Sequence, residues 1–298
     1  MKRFFKKIVI FSVTIMIIFI VVVYNNYKFV KKQSNFLLEK DVENLILGNS
    51  HPECALNDGL IDKTINLASS AESYFYTYYK LKTLLEENKQ IKNVFLEFGY
   101  SGFNKHSETW LWESAHHHKY STIIDREGFV SLFFKNPINT IKIVIKEKPS
   151  PMIVDFWGGY LFLKRDKLQA DIDRHKEKID SASDNSNYVS TIQLRYFKKI
   201  INLCQKNNVS VYLIRNPMYK SANRYDNVIF KIKNDYFKNV EFLDFVNFPL
   251  KDEEYGDIHH LNYKGAKTFS LFFNQLIKDG LLKSEDKQSF IRNVMEKR

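Results

Sequence analysis

Cysteine is nearly absent from this 298-residue chain, with Cys54 and Cys204 the only two. Two cysteines permit one disulfide but no disulfide framework, and both are expected as buried free thiols. Glycine (10) and proline (6) are also scarce, which excludes collagen-like and Pro/Gly-rich disordered classes. No repeat recurs along the chain. No Lys/Arg run interleaves with an RNA-binding aromatic motif, so the excess of 45 Lys+Arg over 34 Asp+Glu (net +11) does not point to nucleic acid. A basic surface near anionic lipids or glycans accounts for it. The His116-His117-His118 run holds no metal-ligand spacing, because consecutive side chains diverge on a helix and alternate on a strand. No metal and no cofactor is expected.

What is present begins at the N-terminus. Lys2, Arg3, Lys6 and Lys7 precede an unbroken apolar run from Ile8 to Val23. As a helix this run is about 25 Å long, near the lower limit for a bilayer span. Tyr24-Asn25-Asn26-Tyr27 follows, too bulky and polar for a signal-peptidase site. Residues 1–27 are therefore expected as an uncleaved signal anchor with its basic end in the cytoplasm. Residues 28–40 would form a juxtamembrane linker, and everything beyond would lie outside the cytoplasmic membrane.

With 44% hydrophobic residues, the remainder can build one substantial core. Short apolar runs read as strands: Asn44–Leu47, Thr64–Leu67, Val94–Phe98, Val209–Ile214 and Val240–Asp244. Between them lie helical patterns at Tyr74–Glu87, Tyr188–Lys206 and Asn227–Tyr236, with a last helix at Tyr263–Leu276. This alternation predicts an α/β fold, a three-layer α/β/α sandwich around a parallel, flavodoxin-like sheet, over residues 41–282. Residues 103–181 break the rhythm and hold all three tryptophans, Trp110, Trp112 and Trp157. They are expected as an insertion or lid beside the carboxyl ends of the strands, where ligands bind in such sheets. Residues 283–298 read as a charged tail.

Two runs carry chemistry. Leu47-Gly48-Asn49-Ser50-His51 ends the first strand with a turn that places Ser50 near a helix N-terminus. Asp257-Ile258-His259-His260 lies just before the last helix. A serine is a poor nucleophile without a positioned base. His260 could supply it, with the Asp257 carboxylate fixing the imidazole tautomer; His259 is the rival base. Either run alone is more often a turn or a local cap. Together, one after the first strand and one after the last, they predict a catalytic site. His51, Trp157 and Tyr160 are candidate substrate contacts, with core packing the alternative for the tryptophans. No motif positions a base for Cys54.

These two runs resemble the SGNH/GDSL esterase superfamily, which has a serine in a Gly-Asp-Ser-like turn and an Asp-x-x-His block before its last helix. Asn49 stands here in place of the acid. The resemblance, over about residues 40–102 and 185–280, is strongest to a membrane-anchored branch that includes proteins of alginate O-acetylation and teichoic-acid D-alanylation. It implies a serine esterase or O-acyltransferase acting on cell-surface polysaccharide, beside a membrane-bound O-acyltransferase. The middle blocks depart from the pattern. Asn66-Leu67-Ala68-Ser69-Ser70-Ala71 has no glycine where the oxyanion glycine should fall, leaving Ser70 or Ala71 as donor. Gly99-Tyr100-Ser101-Gly102-Phe103-Asn104 replaces the Gly-x-Asn block, leaving Ser101 or Asn104. The alternative implied by those departures is a catalytically weak accessory that binds glycan or the acyltransferase.

Overall fold

The computed structural model describes residues 2–146, 151–179, 189–220, 222 and 225–297; the side chains of residues 19, 20, 23, 27, 114 and 175–179 also lie outside the description. The strands are β1 (Asn44–Leu47), β2 (Thr64–Asn66), β3 (Asn93–Glu97), β4 (Ser210–Arg215) and β5 (Glu241–Asp244). They form one five-stranded sheet in the order β2-β1-β3-β4-β5. Every pairing is parallel, with Leu45 opposite Ile65 and Val94, and Leu213 opposite Leu96 and Phe242. The expected α/β class and parallel flavodoxin-like order are both present.

The helices are α1 (Lys2–Gln33), α2 (Ser50–Ala55), α3 (Tyr74–Glu87), α4 (Tyr100–Phe103), α5 (Ser114–Tyr120), α6 (Arg126–Lys135), α7 (Pro137–Lys146), α8 (Leu168–Ile179), α9 (Thr191–Lys206), α10 (Asp226–Tyr236), α11 (Tyr263–Lys278) and α12 (Lys287–Glu296). The expected helix start at Tyr188 lies outside the described residues. Because side chains alternate across a strand, each strand feeds two cores. Leu45, Leu47, Val94, Leu96 and Leu213 join α3, α9 and α10 on one face. Ile46, Phe95, Tyr212 and Ile214 join α11 and Ile291 of α12 on the other. These near-continuous apolar strands are why a parallel sheet, covered on both faces, was legible.

Three elements depart from expectation. The helix expected to anchor the chain continues to Gln33, through most of the expected linker, and exposes apolar side chains from Phe4 to Phe29. Among the described residues no helix is long and apolar enough to cross a membrane; the expected span includes side chains outside that description. The exit of α1 is tied to the insertion where Asn35 N–H donates to the Met152 carbonyl (2.9 Å).

The 103–181 segment is only partly a lid. Trp157 is fully buried and stacks on Phe36 with ring centroids 4.2 Å apart. Lys80 and Glu72 form a buried ion pair beneath it (2.7 Å), and Lys80 Nζ also donates to the carbonyl of Trp157 (3.4 Å). His116 of the histidine run is buried against Tyr76 and Tyr120.

Residues 283–298 are not a free tail. Ile291 of α12 is buried, and Gln288 clasps Asp244 of β5, accepting from its N–H (2.9 Å) and donating to its carbonyl (3.1 Å).

Candidate active site

Gly48 closes β1 at φ +148°, in the region L side chains rarely adopt. A Cβ there would meet Cβ of Glu97 at 2.3 Å, so glycine alone fits. Asn49 caps α2, its Oδ1 accepting from His51 N–H (3.0 Å) while its Nδ2 donates to Ser101 Oγ (3.1 Å). Ser50 thereby becomes the first residue of a helix at the carboxyl edge of the sheet.

The second run is a tight loop locked by the backbone. Gly256 N–H donates to the His260 carbonyl (2.8 Å), and Asn262 both caps α11 and donates to the carbonyls of Glu253 (2.8 Å) and Tyr255 (3.2 Å). Inside the loop, Asp257 Oδ1 accepts from the backbone N–H groups of His259 and His260, each at 2.9 Å. This is why an Asp-x-x-His spacing works: the turn that seats the carboxylate also turns the imidazole back onto it.

The two loops meet. Ser50 Oγ lies 2.8 Å from His260 Nε2, and His260 Nδ1 lies 2.9 Å and 3.1 Å from the Asp257 oxygens. A carboxylate facing Nδ1 favours the tautomer whose Nε2 accepts the serine proton. Of the two histidines, it is His260 whose ring faces Ser50. Burial pushes the Asp257 carboxyl up. The hydrogen bond and charge of His260, with help from Arg165 and the His259 N–H, outweigh burial and hold it well below the usual carboxylate range. Arg165 Nη1 reaches Asp257 Oδ2 at 2.5 Å from the insertion.

His51 lies beside this pair, its ring edge-on to His260 with centroids 5.4 Å apart. Burial and the neighbouring His260 and His259 hold it well below the ordinary histidine value. Glu97, at the end of β3, is buried with Oε1 4.0 Å from His51 Nδ1. Burial pushes its carboxyl up to about 7, even though the Tyr74 hydroxyl donates to it at 3.0 Å. Cys54 and Cys204 are both buried free thiols, each pushed up to about 12 by burial, which leaves Cys54 no thiolate to attack with.

Ser50 and His260 open into a cavity of about 730 Å³. Its wall includes Ser70, Ala71, Ser101 and Asn104, the four oxyanion candidates, and Trp110, Leu161, Leu163 and Arg165 from the insertion. Of the four, Ser70 is engaged: its hydroxyl and its N–H both bond Glu53. Ser101 Oγ accepts from Asn49, and Asn104 Oδ1 caps the 3-10 segment Lys105–Trp112 by accepting from Ser107 N–H (2.9 Å). Ala71 sits at φ +56°, its backbone at the cavity wall. Trp157 belongs to the core, not the cavity, and Tyr160 is half-buried outside the cavity's lining.

Sequence reasoning missed Arg165, Glu97 and Asn216 as site residues. Glu97 had a signal, a lone acid ending an apolar strand. Arg165 had none, since it lies among Lys164, Asp166 and Lys167 in a segment without periodicity.

A protein-family model matches residues 164–282, the part of the chain that supplies Arg165, Asp257 and His260. No curated protein matches the chain. Among solved structures, a GDSL-like lipase from Bacteroides thetaiotaomicron aligns at a TM-score of 0.36 and 9% identity, covering 86% of this chain and 97% of that one.

Proposed function

We propose that this chain is an SGNH-type serine esterase or O-acyltransferase working through an acyl-Ser50 intermediate. The observation that carries this is the unbroken relay from Ser50 Oγ through His260 to Asp257, joined from loops at opposite ends of the chain. In this reading Ser50 Oγ attacks an ester carbonyl as His260 Nε2 takes its proton. The tetrahedral oxyanion forms against the amides of Ser50 and Ala71, since Ser70 is bonded to Glu53. Its collapse expels the alcohol, which takes the proton from His260. Water or a sugar hydroxyl, deprotonated in turn by His260, then attacks the acyl-enzyme and frees Ser50.

The same proposal places the domain outside the cytoplasmic membrane, held by α1 with Lys2, Arg3, Lys6 and Lys7 on the cytoplasmic side. Its substrates are cell-surface polysaccharide and the acyl donor that modifies it, with a membrane-bound O-acyltransferase as partner. The glycine-free second block, with Ser70 bonded to Glu53, favours a second reading, a catalytically weak accessory that binds glycan or that acyltransferase.

Acid-quenched mass spectrometry after incubation with p-nitrophenyl acetate separates the two. An enzyme shows one acetyl group on the Ser50 peptide, absent in Ser50→Ala and slow to form in His260→Ala. Nitrophenol release that is unchanged in Ser50→Ala, with no acetylated peptide in the native chain, leaves the accessory reading.

A further inference from the structure

The cavity beside Ser50 has a polar wall that the acyl-transfer steps do not use. Asn216, just past β4, is 3% exposed, yet among the described residues neither its Oδ1 nor its Nδ2 meets a hydrogen-bond partner. Tyr100, which opens α4 just past β3, is 8% exposed, and its hydroxyl is likewise without a partner among the described residues. Both line the cavity that Ser50 and His260 open into. A buried polar group left unpaired costs about 1–3 kcal/mol, and native proteins carry few. Here two such side chains come from the ends of adjacent strands and share one cavity.

Their chemistry narrows what would pair them. A carboxamide presents an acceptor beside two donors, and a phenol hydroxyl both donates and accepts. An anion would satisfy the donors but repel Oδ1. An acyl chain would pair none of the three atoms. Neighbouring hydroxyls of a sugar ring, each able to donate and accept, match all of them. Trp110, half-buried on the same cavity wall, adds an aromatic ring on which the apolar C–H side of such a sugar could stack. The Tyr100 ring is itself held against Tyr225, with centroids 4.0 Å apart, which fixes its position in the wall.

We infer that Asn216, Tyr100 and Trp110 form a subsite for a neutral pyranoside on the β3–β4 side of Ser50. Binding there is independent of the acyl chemistry; only the sugar's use as an acyl acceptor or ester alcohol rests on the function proposed above.

The test is saturation-transfer NMR on the full chain in lipid nanodiscs. The probes are methyl β-D-glucopyranoside, methyl β-D-galactopyranoside and methyl N-acetyl-β-D-glucosaminide. The inference expects transfer to the ring protons of at least one glycoside. It expects affinity about tenfold weaker or worse in Asn216→Leu, as loss of a paired hydrogen bond implies. Tyr100→Phe keeps the ring against Tyr225 and removes only the hydroxyl, so it should weaken binding without disturbing the fold. No transfer from any of the three glycosides, or equal affinity in the native chain and both variants, overturns the subsite. Fluorophosphonate labelling of Ser50 in the same samples keeps the two ideas apart. Labelling without sugar binding removes the subsite alone, and sugar binding without labelling removes the esterase reading alone.

Discussion

At the scale of single residues, the site is a set of charges balanced by position. Ser50, Asp257 and His260 were legible because their chemistry is local: one turn after a strand, one three-residue spacing. Arg165 was not, because its value comes from where the insertion lands. Asp257 is held low, so its contribution to stability is present above the ordinary aspartate range and fades as pH falls below it. Removing Arg165 should shrink that contribution. Thermal melts of Arg165→Met are expected to lie below the native chain at pH 7, with the gap narrowing only as pH falls well below the ordinary aspartate range. Glu97 runs the other way. Its folded-state pKa is raised to about 7, so stability falls as pH climbs from the ordinary glutamate range through that value. The cost above neutral pH is about 3 kcal/mol for this buried group. Glu97→Gln is expected to gain stability relative to the native chain at pH 8.5 but not at pH 5; parallel melting temperatures at both would contradict the assignment.

At the scale of elements, strand and helix positions followed from apolar runs and helical spacing, while misreadings arose where composition stood in for contact. For Trp157 the sequence leaves a substrate contact and core packing both open, because an irregular segment has no periodicity to assign a face; it packs on Phe36. The oxyanion candidates come from where the middle blocks of the resemblance fall. Only the hydrogen bonds reveal that Ser70 serves Glu53, while Asn104 caps its own 3-10 turn through Oδ1, not through its Nδ2 donor. The loop before α11 makes its own prediction. Asn262 caps the helix and ties down two carbonyls of the loop that carries Asp257, so Asn262→Ala should cost about 1–2 kcal/mol from the cap alone. The same variant should slow acylation of Ser50, because His260 loses its fixed aim. A melting temperature lowered with acylation unchanged would mean the cap supports the fold without aiming the base.

At the scale of the whole molecule, the parallel sheet brings the ends of the chain together at one edge, and two later segments complete it. The insertion supplies Arg165 to Asp257 and walls the cavity. The last helix covers the β5 side of the second core, although its charge made it read as a tail. Truncation after residue 284 should expose the core around Ile291 and break the Gln288 clasp on Asp244, lowering the melting temperature by several degrees. The central claim remains that Ser50 is an activated nucleophile. A fluorophosphonate probe incubated with the full chain reads this directly, followed by mass spectrometry of the Ser50 peptide. The account predicts stoichiometric labelling at Ser50, none in Ser50→Ala, and labelling slowed by orders of magnitude in His260→Ala. Equal labelling of the native chain and Ser50→Ala, or no labelling of either, would contradict it.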